Sequence, residues 1–159
     1  MIVDALKHFV TVGLGFALVL GWIATLILNT ALGALLEALL HAPPTNYYLG
    51  SALLTGTSLL LIALCIIIGN RLFRQWFSSA RLTASAIVVS TALFLLVVLI
   101  FVVPAFRQVV SAYANRTQYF YHHSSDLLLM LSLPLGRLLV LPTVYFFSAQ
   151  RSLRGTNCT

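Results

Sequence analysis

The chain has 159 residues, of which 60% are hydrophobic and only 8% are charged, and its mean hydropathy is +1.02. Soluble domains average about 25% charged residues, so this composition excludes an ordinary soluble domain and indicates a membrane protein. The formal net charge of +6 would suit nucleic-acid binding, but the cations lie at predicted helix ends, where they determine topology. Nucleic acid is therefore excluded as a partner.

Four apolar stretches predict transmembrane helices, because about 20 apolar residues are needed to cross the hydrocarbon core of a bilayer. The predicted spans are about residues 9–28, 50–69, 82–103 and 127–147. Residues 1–8 form a short head before the first span, and Pro104 closes the third span, since proline interrupts helices. The predicted fold class is an all-α membrane protein with four transmembrane helices in one domain, residues 1–159.

Two further segments carry apolar residues at helical spacing with polar residues between them, as amphipathic helices do. The first covers residues 31–41. It would lie on the outer membrane surface or project from it, because a helix that continues this far exceeds the thickness of the hydrocarbon core. The second begins at residue 105. Both are predicted as amphipathic extensions on the outer side.

Lysine and arginine residues concentrate on the cytoplasmic side of membrane proteins. With the N-terminus inside, six cations fall on the inner side and two on the outer side. The inner ones are Lys7, Arg71, Arg74, Arg81, Arg151 and Arg154, and the outer ones are Arg107 and Arg116. This distribution favours an N-in, C-in topology. It also places Arg71, Arg74 and Arg81 in a short inner loop, where they would contact a cytoplasmic protein partner or lipid.

Arg137 lies in the middle of the fourth span. A charge there costs roughly 2.5–3.5 kcal/mol on insertion scales. Pro134 and Pro142 each remove a backbone donor and are expected to kink this helix. Two interpretations stay open: Arg137 snorkels or bonds backbone carbonyls and only fixes packing, or it faces a water-filled or inter-subunit cavity.

Small residues recur every four positions on the first span, at Gly13, Ala17 and Gly21. This spacing lets helix backbones approach closely inside a membrane, so we predict a helix-packing stripe. Together with Arg137, the stripe predicts a homo-oligomer or a complex with a partner.

No catalytic, nucleotide or cofactor motif is present. His122, His123 and Asp126 are the only metal-capable group, but adjacent histidines on a helix point in different directions, so neither a metal nor a cofactor is predicted. None of the histidines is placed inside a span, which argues against haem. A membrane enzyme would need paired carboxylates, a catalytic constellation of serine and histidine, or a metal set near the membrane face, and none of these is expected.

These features predict a non-enzymatic protein of the plasma membrane, specifically a bacterial inner membrane. The layout is similar, in span count and orientation, to immunity proteins against pore-forming colicins and to small membrane subunits of bacterial anti-phage systems. That resemblance implies an oligomeric sensor, anchor or immunity component of a multi-protein system. The alternative is a small channel or transporter subunit whose anion path is lined by Arg137.

Overall fold

Long apolar runs form the helices of this protein, because a helix satisfies its own backbone hydrogen bonds where water is absent. The computed structural model describes residues 1–40, 47–77, 82–114 and 124–154. This part of the chain is almost entirely helical and contains no strand, which confirms the all-α prediction. The helices are α1 (Ile2–His8), a π-helical segment (Phe9–Leu20), α2 (Gly21–Leu40), α3 (Tyr47–Trp76), α4 (Ala84–Ala114) and α5 (Ser124–Arg154).

The first three elements follow one another without a break and form one rod, residues 2–40, called the N-terminal rod. Its helix begins at Ile2, seven residues before the predicted start of the first span. Asp4 stabilises this beginning, since it lies in the first turn and pairs with the Met1 ammonium group at 3.3 Å. A negative charge is favourable at a helix N-terminus.

The rod continues to Leu40, so residues 31–40 of the predicted amphipathic extension are continuous with the first helix, and His41 lies outside the described residues. Its middle part is a π-helix of 12 residues. Such geometry more often occurs as a single turn within an α-helix.

The second rod, α3, corrects the prediction that Arg71 and Arg74 lie in a loop. It continues to Trp76, so both arginines belong to its last turns. Cations near a helix C-terminus interact favourably with the exposed carbonyl groups. Arg81, the third arginine of the predicted loop, lies outside the described residues.

Helix α4 corrects the prediction that the third helix ends at Pro104, because it passes through this proline to Ala114. One missing backbone donor costs less than ending a helix in apolar surroundings, where every freed group lacks a partner. Helix α5 likewise contains both Pro134 and Pro142.

Contacts between the rods show their directions. Gly69 of α3 lies against Phe16, and Ser58 of the same helix bonds Asn29 at 3.2 Å, so α3 runs antiparallel to the N-terminal rod.

Helix α4 runs in the same direction as the rod. Its Ser85 contacts Met1, and its Phe94 lies against Gly13. Helix α5 packs beside both α3 and α4. The described end of α5 therefore lies beside the beginning of the rod, the end of α3 and the beginning of α4.

The apolar core lies where the four rods meet. Its buried members are Phe9, Val12, Ala17, Ile66, Phe73, Phe94, Val98, Val102, Leu141 and Tyr145. Outside this core, large apolar side chains such as Ile27, Phe101 and Leu139 point outward with more than 60% of their surface exposed.

Three helical stretches in the described residues are long and apolar enough to cross a membrane: Ile2–Leu35, Thr55–Trp76 and Ala84–Ser111. Their exposed apolar faces suit a lipid environment, since apolar patches of this extent are rare on soluble monomers. The protein therefore has the composition and the helix lengths of an all-helical membrane protein.

Candidate functional site

Five polar side chains from four helices meet within the apolar interior. They are His8 of α1, Asn70 of α3, Ser90 of α4, and Tyr145 and Ser148 of α5, and we call them the His8 network. Tyr145 and Ser148 are three residues apart on one helix, which places them on the same face. Each rod thus contributes at least one member.

Asn70 fixes one side of the His8 ring. Its amide nitrogen donates to the Ile66 carbonyl at 3.1 Å and to Ser148 Oγ at 2.7 Å. Its amide oxygen is therefore turned toward His8 Nε2, 2.7 Å away. Because an amide oxygen only accepts, Nε2 carries the hydrogen and donates it.

Two hydroxyl groups lie on the other side of the ring. His8 Nδ1 is 2.8 Å from Ser90 Oγ and 2.9 Å from Tyr145 Oη, and these two oxygens are 2.6 Å apart. With Nε2 as the donor, Nδ1 of the neutral ring accepts. One hydroxyl then donates to Nδ1 and the other hydroxyl donates to the first, so both hydroxyl hydrogens are used.

Aromatic rings enclose the network. The Phe73 ring meets the His8 ring edge-on with centroids 5.0 Å apart, and the Phe94 ring stacks on Tyr145 at 4.6 Å. His8, Ser90 and Tyr145 each have at most 1% of their surface exposed. No charged group hydrogen-bonds to these three side chains within the described part of the chain.

His8, which the sequence placed in the head before the first span, belongs to the helical stretch Ile2–Leu35, which is long and apolar enough to cross a membrane. The fold also places Ser90 within hydrogen-bond distance of His8, a serine–histidine pair that the sequence did not predict. The signal in the sequence that pointed to this network was the presence of two polar residues, Asn70 and Ser90, beside long apolar runs. Their partners lie 62 and 82 residues away along the chain, too far for a local pattern to reveal.

An open cleft of about 680 Å³ lies between α3 and α5, next to the His8 network. Three arginines line it: Arg71 and Arg74 of α3, and Arg151 of α5. Asn70 and Ser148 are at its border with the network. No carboxylate pairs with these arginines among the described residues, so the cleft is strongly basic.

Arg137 is half-buried on α5, and its Nε atom is buried without a hydrogen-bond partner in the described part of the protein. Pro134 and Pro142 on the same helix are both buried. Arg137 is eight residues before Tyr145, about 12 Å along the helix axis, and does not take part in the His8 network.

The small-residue stripe is buried against other helices of the same chain. A Cβ atom at Gly13 would lie 3.2 Å from Phe94 Cδ2 of α4, and one at Gly21 would lie 3.1 Å from Ile62 Cγ1 of α3. Ala17 has 1% of its surface exposed. The stripe therefore packs within the bundle.

The remaining predicted site residues are only partly within the described structure. His122 and His123 lie outside the described residues, and Asp126 belongs to α5. The described side chains contain no group of three His, Cys, Asp or Glu residues that could hold a metal ion.

No protein-family model, curated protein or solved structure matches this chain. A functional assignment therefore depends on the sequence and on the geometry of these sites.

Proposed function

We propose that this protein is a non-enzymatic membrane protein that acts as an oligomeric sensor, anchor or immunity component of a multi-protein system. It crosses a bacterial inner membrane four times, with both termini on the cytoplasmic side. The most plausible setting is defence against phage or pore-forming toxins, on the basis of the layout described above.

The arrangement of cations supports this topology. Lys7, Arg71, Arg74 and Arg151 all lie near the end of the bundle that holds the His8 network, whereas Arg107 lies toward the opposite end of α4. Positive charge concentrates on the cytoplasmic side of membrane proteins. The basic end is therefore taken as cytoplasmic.

The closed His8 network is the observation that carries the non-enzymatic proposal. A serine next to a histidine can form a nucleophile and base, but Ser90 has no exposed surface. Its hydroxyl is already bonded within the network. The polar groups thus join four helices. Ser90 and His8 have at most 1% of their surface exposed, so a substrate has no route to this serine–histidine pair in this arrangement.

Assembly with a partner is supported by the basic end and by Arg137. The small-residue stripe is weaker support for assembly than these cations are, because Gly13 and Gly21 already pack against helices of the same chain. We therefore place the contact with a soluble cytoplasmic partner at the basic end of the bundle and at Arg81, which stands between α3 and α4 in the sequence.

Purification of the full chain from its natural host in mild detergent, followed by native mass spectrometry, tests this proposal. We expect an assembly with a second, soluble protein, and loss of that protein from an Arg81→Gln variant. Reporter fusions at both termini check that the variant keeps its topology. A closed ring of this chain alone, with no second protein, would contradict the proposal.

A channel or transporter subunit is the second candidate, and the unbonded Arg137 Nε atom is the observation that favours it. A half-buried arginine whose Nε atom lacks a hydrogen-bond partner among the described residues suits an anion path between subunits. This candidate predicts that Arg137→Ala changes conductance or anion preference in planar bilayer recordings. Identical currents from the wild type and the variant would eliminate it.

A further inference from the structure

The cleft between α3 and α5 has a polarity gradient that is the same on both helices. On α3 the cleft is lined by Ile67 and, seven residues later, by Arg74; on α5 the lining begins at Thr143, and Val144 precedes Arg151 by the same interval of seven residues. Seven residues correspond to about 10 Å along a helix. Each wall therefore changes from apolar to cationic over the same distance.

The two ends of the cleft differ in character. Phe147 extends the apolar part, and 62% of its surface is exposed. Arg71, Arg74 and Arg151 provide the cationic part at the helix ends, and these cations form no ion pair among the described residues. A ligand that matches both parts has an anionic group joined to an apolar body.

We infer that this cleft binds the phosphate group of an anionic glycerophospholipid, with an acyl chain along the apolar wall. Arginine suits this role because its planar guanidinium group can donate two parallel hydrogen bonds to phosphate oxygens. Basic pockets between membrane helices on the cytoplasmic side are suited to such headgroups.

The dimensions favour a lipid over the other anionic ligands. The volume of about 680 Å³ is far larger than one inorganic phosphate requires and lies within the range of pockets that hold a small organic ligand. An acidic peptide would match the arginines but would leave the apolar wall at Phe147 without a function. Lipid binding at this cleft goes beyond the proposed function. It rests on one part of that proposal, namely that the protein lies in a membrane with the basic cleft at the level of the lipid headgroups.

The test is native mass spectrometry of the delipidated full chain in mild detergent, titrated with phosphatidylglycerol or with phosphatidylcholine. We expect one phosphatidylglycerol to bind tightly and phosphatidylcholine to bind much more weakly. The double variant Arg74→Gln/Arg151→Gln should bind phosphatidylglycerol about 10- to 30-fold more weakly, since each cation near an anionic lipid contributes about a five-fold factor. Arg107→Gln removes the same kind of charge from an exposed position on α4 outside the cleft, and should leave binding unchanged.

Several results would overturn the inference. Equal binding of the two lipids would show that the cleft does not select an anionic headgroup. Unchanged phosphatidylglycerol binding by the double variant would show that Arg74 and Arg151 do not bind the lipid phosphate. Displacement of the lipid by millimolar inorganic phosphate would identify a site for a free anion. Release of an acidic protein by the double variant, without an effect on lipid binding, would identify a protein-docking site.

If the double variant does not purify as a folded protein, the single variants Arg74→Gln and Arg151→Gln decide the matter, with an expected loss of about five-fold each. Failure of lipid binding is distinguishable from failure of the proposed function. The latter is judged from the reporter fusions and from the co-purified soluble partner, which do not depend on the lipid titration.

Discussion

Asn70 and Arg137 are both polar residues that follow a glycine in an apolar helix, but their surroundings are opposite. Asn70 accepts a hydrogen bond from His8 and donates to Ser148 and to the Ile66 carbonyl. Arg137 retains a buried Nε atom without a partner in the described residues. The Asn70 side chain thus joins three helices, whereas the Arg137 Nε atom joins none among the described residues.

The preceding glycines differ in the same way. A Cβ atom at Gly69 would lie 2.7 Å from Phe16 Cβ and Cγ, whereas one at Gly136 would meet nothing within 4 Å. The backbone at Gly69 is closely packed, and the space next to Gly136 is open. A polar residue in an apolar helix thus stabilises the fold only when other helices bring complementary groups, which the hydropathy of its own segment does not reveal.

The largest expected effect is that of Asn70→Leu. This change leaves the buried His8 Nε2 hydrogen without its acceptor, which costs about 1–3 kcal/mol, and removes the hydrogen bond to Ser148 Oγ, which is worth about 0.5–1.5 kcal/mol. Ser148 is half-buried and keeps its bond to the Tyr145 carbonyl at 3.1 Å. We expect the free energy of unfolding to fall by about 2–4 kcal/mol, measured by titration with SDS in mixed micelles and followed by circular dichroism. A fall below about 0.5 kcal/mol would mean that the network does not hold the helices together.

Gly69→Ala should have the second-largest effect on the free energy of unfolding. The added methyl group overlaps Phe16 at 2.7 Å, and overpacking of this kind costs about 1–3 kcal/mol. The same titration should show this loss, with Trp76 fluorescence as an additional probe because the Trp76 and Phe16 rings are 6.0 Å apart. Gly136→Ala is the matched control, and its open position should yield a gain of up to about 1 kcal/mol from helix propensity. Equal effects of the two substitutions would contradict the packing contrast.

Tyr145→Phe should have a smaller effect. It removes one hydroxyl from the triangle but leaves Ser90 able to donate to His8 Nδ1 at 2.8 Å. The ring stacking on Phe94 is also retained. We expect a loss of about 0.5–1.5 kcal/mol in the same unfolding titration. A loss as large as that of Asn70→Leu would show that Tyr145, and not Ser90, is the essential donor to the ring.

Arg137→Leu should have the smallest effect on stability. Replacing a buried charge that lacks a bonded partner at Nε by an apolar side chain is expected to leave the free energy of unfolding unchanged or to raise it. Thermal unfolding of the two proteins in the same detergent compares them directly. A destabilisation similar to that of Asn70→Leu would show that Arg137 has a strong partner, and would remove the contrast between the two regions.

The success and failure of the sequence-based predictions have a common physical origin. The helical class followed from local composition, and so did Gly13, Ala17 and Gly21 as small residues on one helix. The helix boundaries were less predictable, because Pro104 and the Asn70–Arg71 sequence look like terminators but are retained inside helices. Apolar surroundings extend helices past such signals, since an ended helix exposes backbone groups that find no water.

The candidate sites were the hardest to predict. His8 was assigned to the short head, residues 1–8, that precedes the first predicted span. Arg151 was counted only for topology, although it completes a cleft with Arg71 and Arg74. Both sites depend on which faces of distant helices meet, and periodicity within one segment contains no information about that.

The sequence by itself determined that this protein is helical, apolar and of membrane type, because hydropathy and the need to satisfy backbone hydrogen bonds act within each segment. Only the tertiary structure decided that His8, Ser90 and Tyr145 share one set of hydrogen bonds, across separations of 55 to 137 residues. The physical reason is that a buried hydrogen bond requires a donor and an acceptor within about 3 Å of each other, and packing of the four rods brings them to that distance.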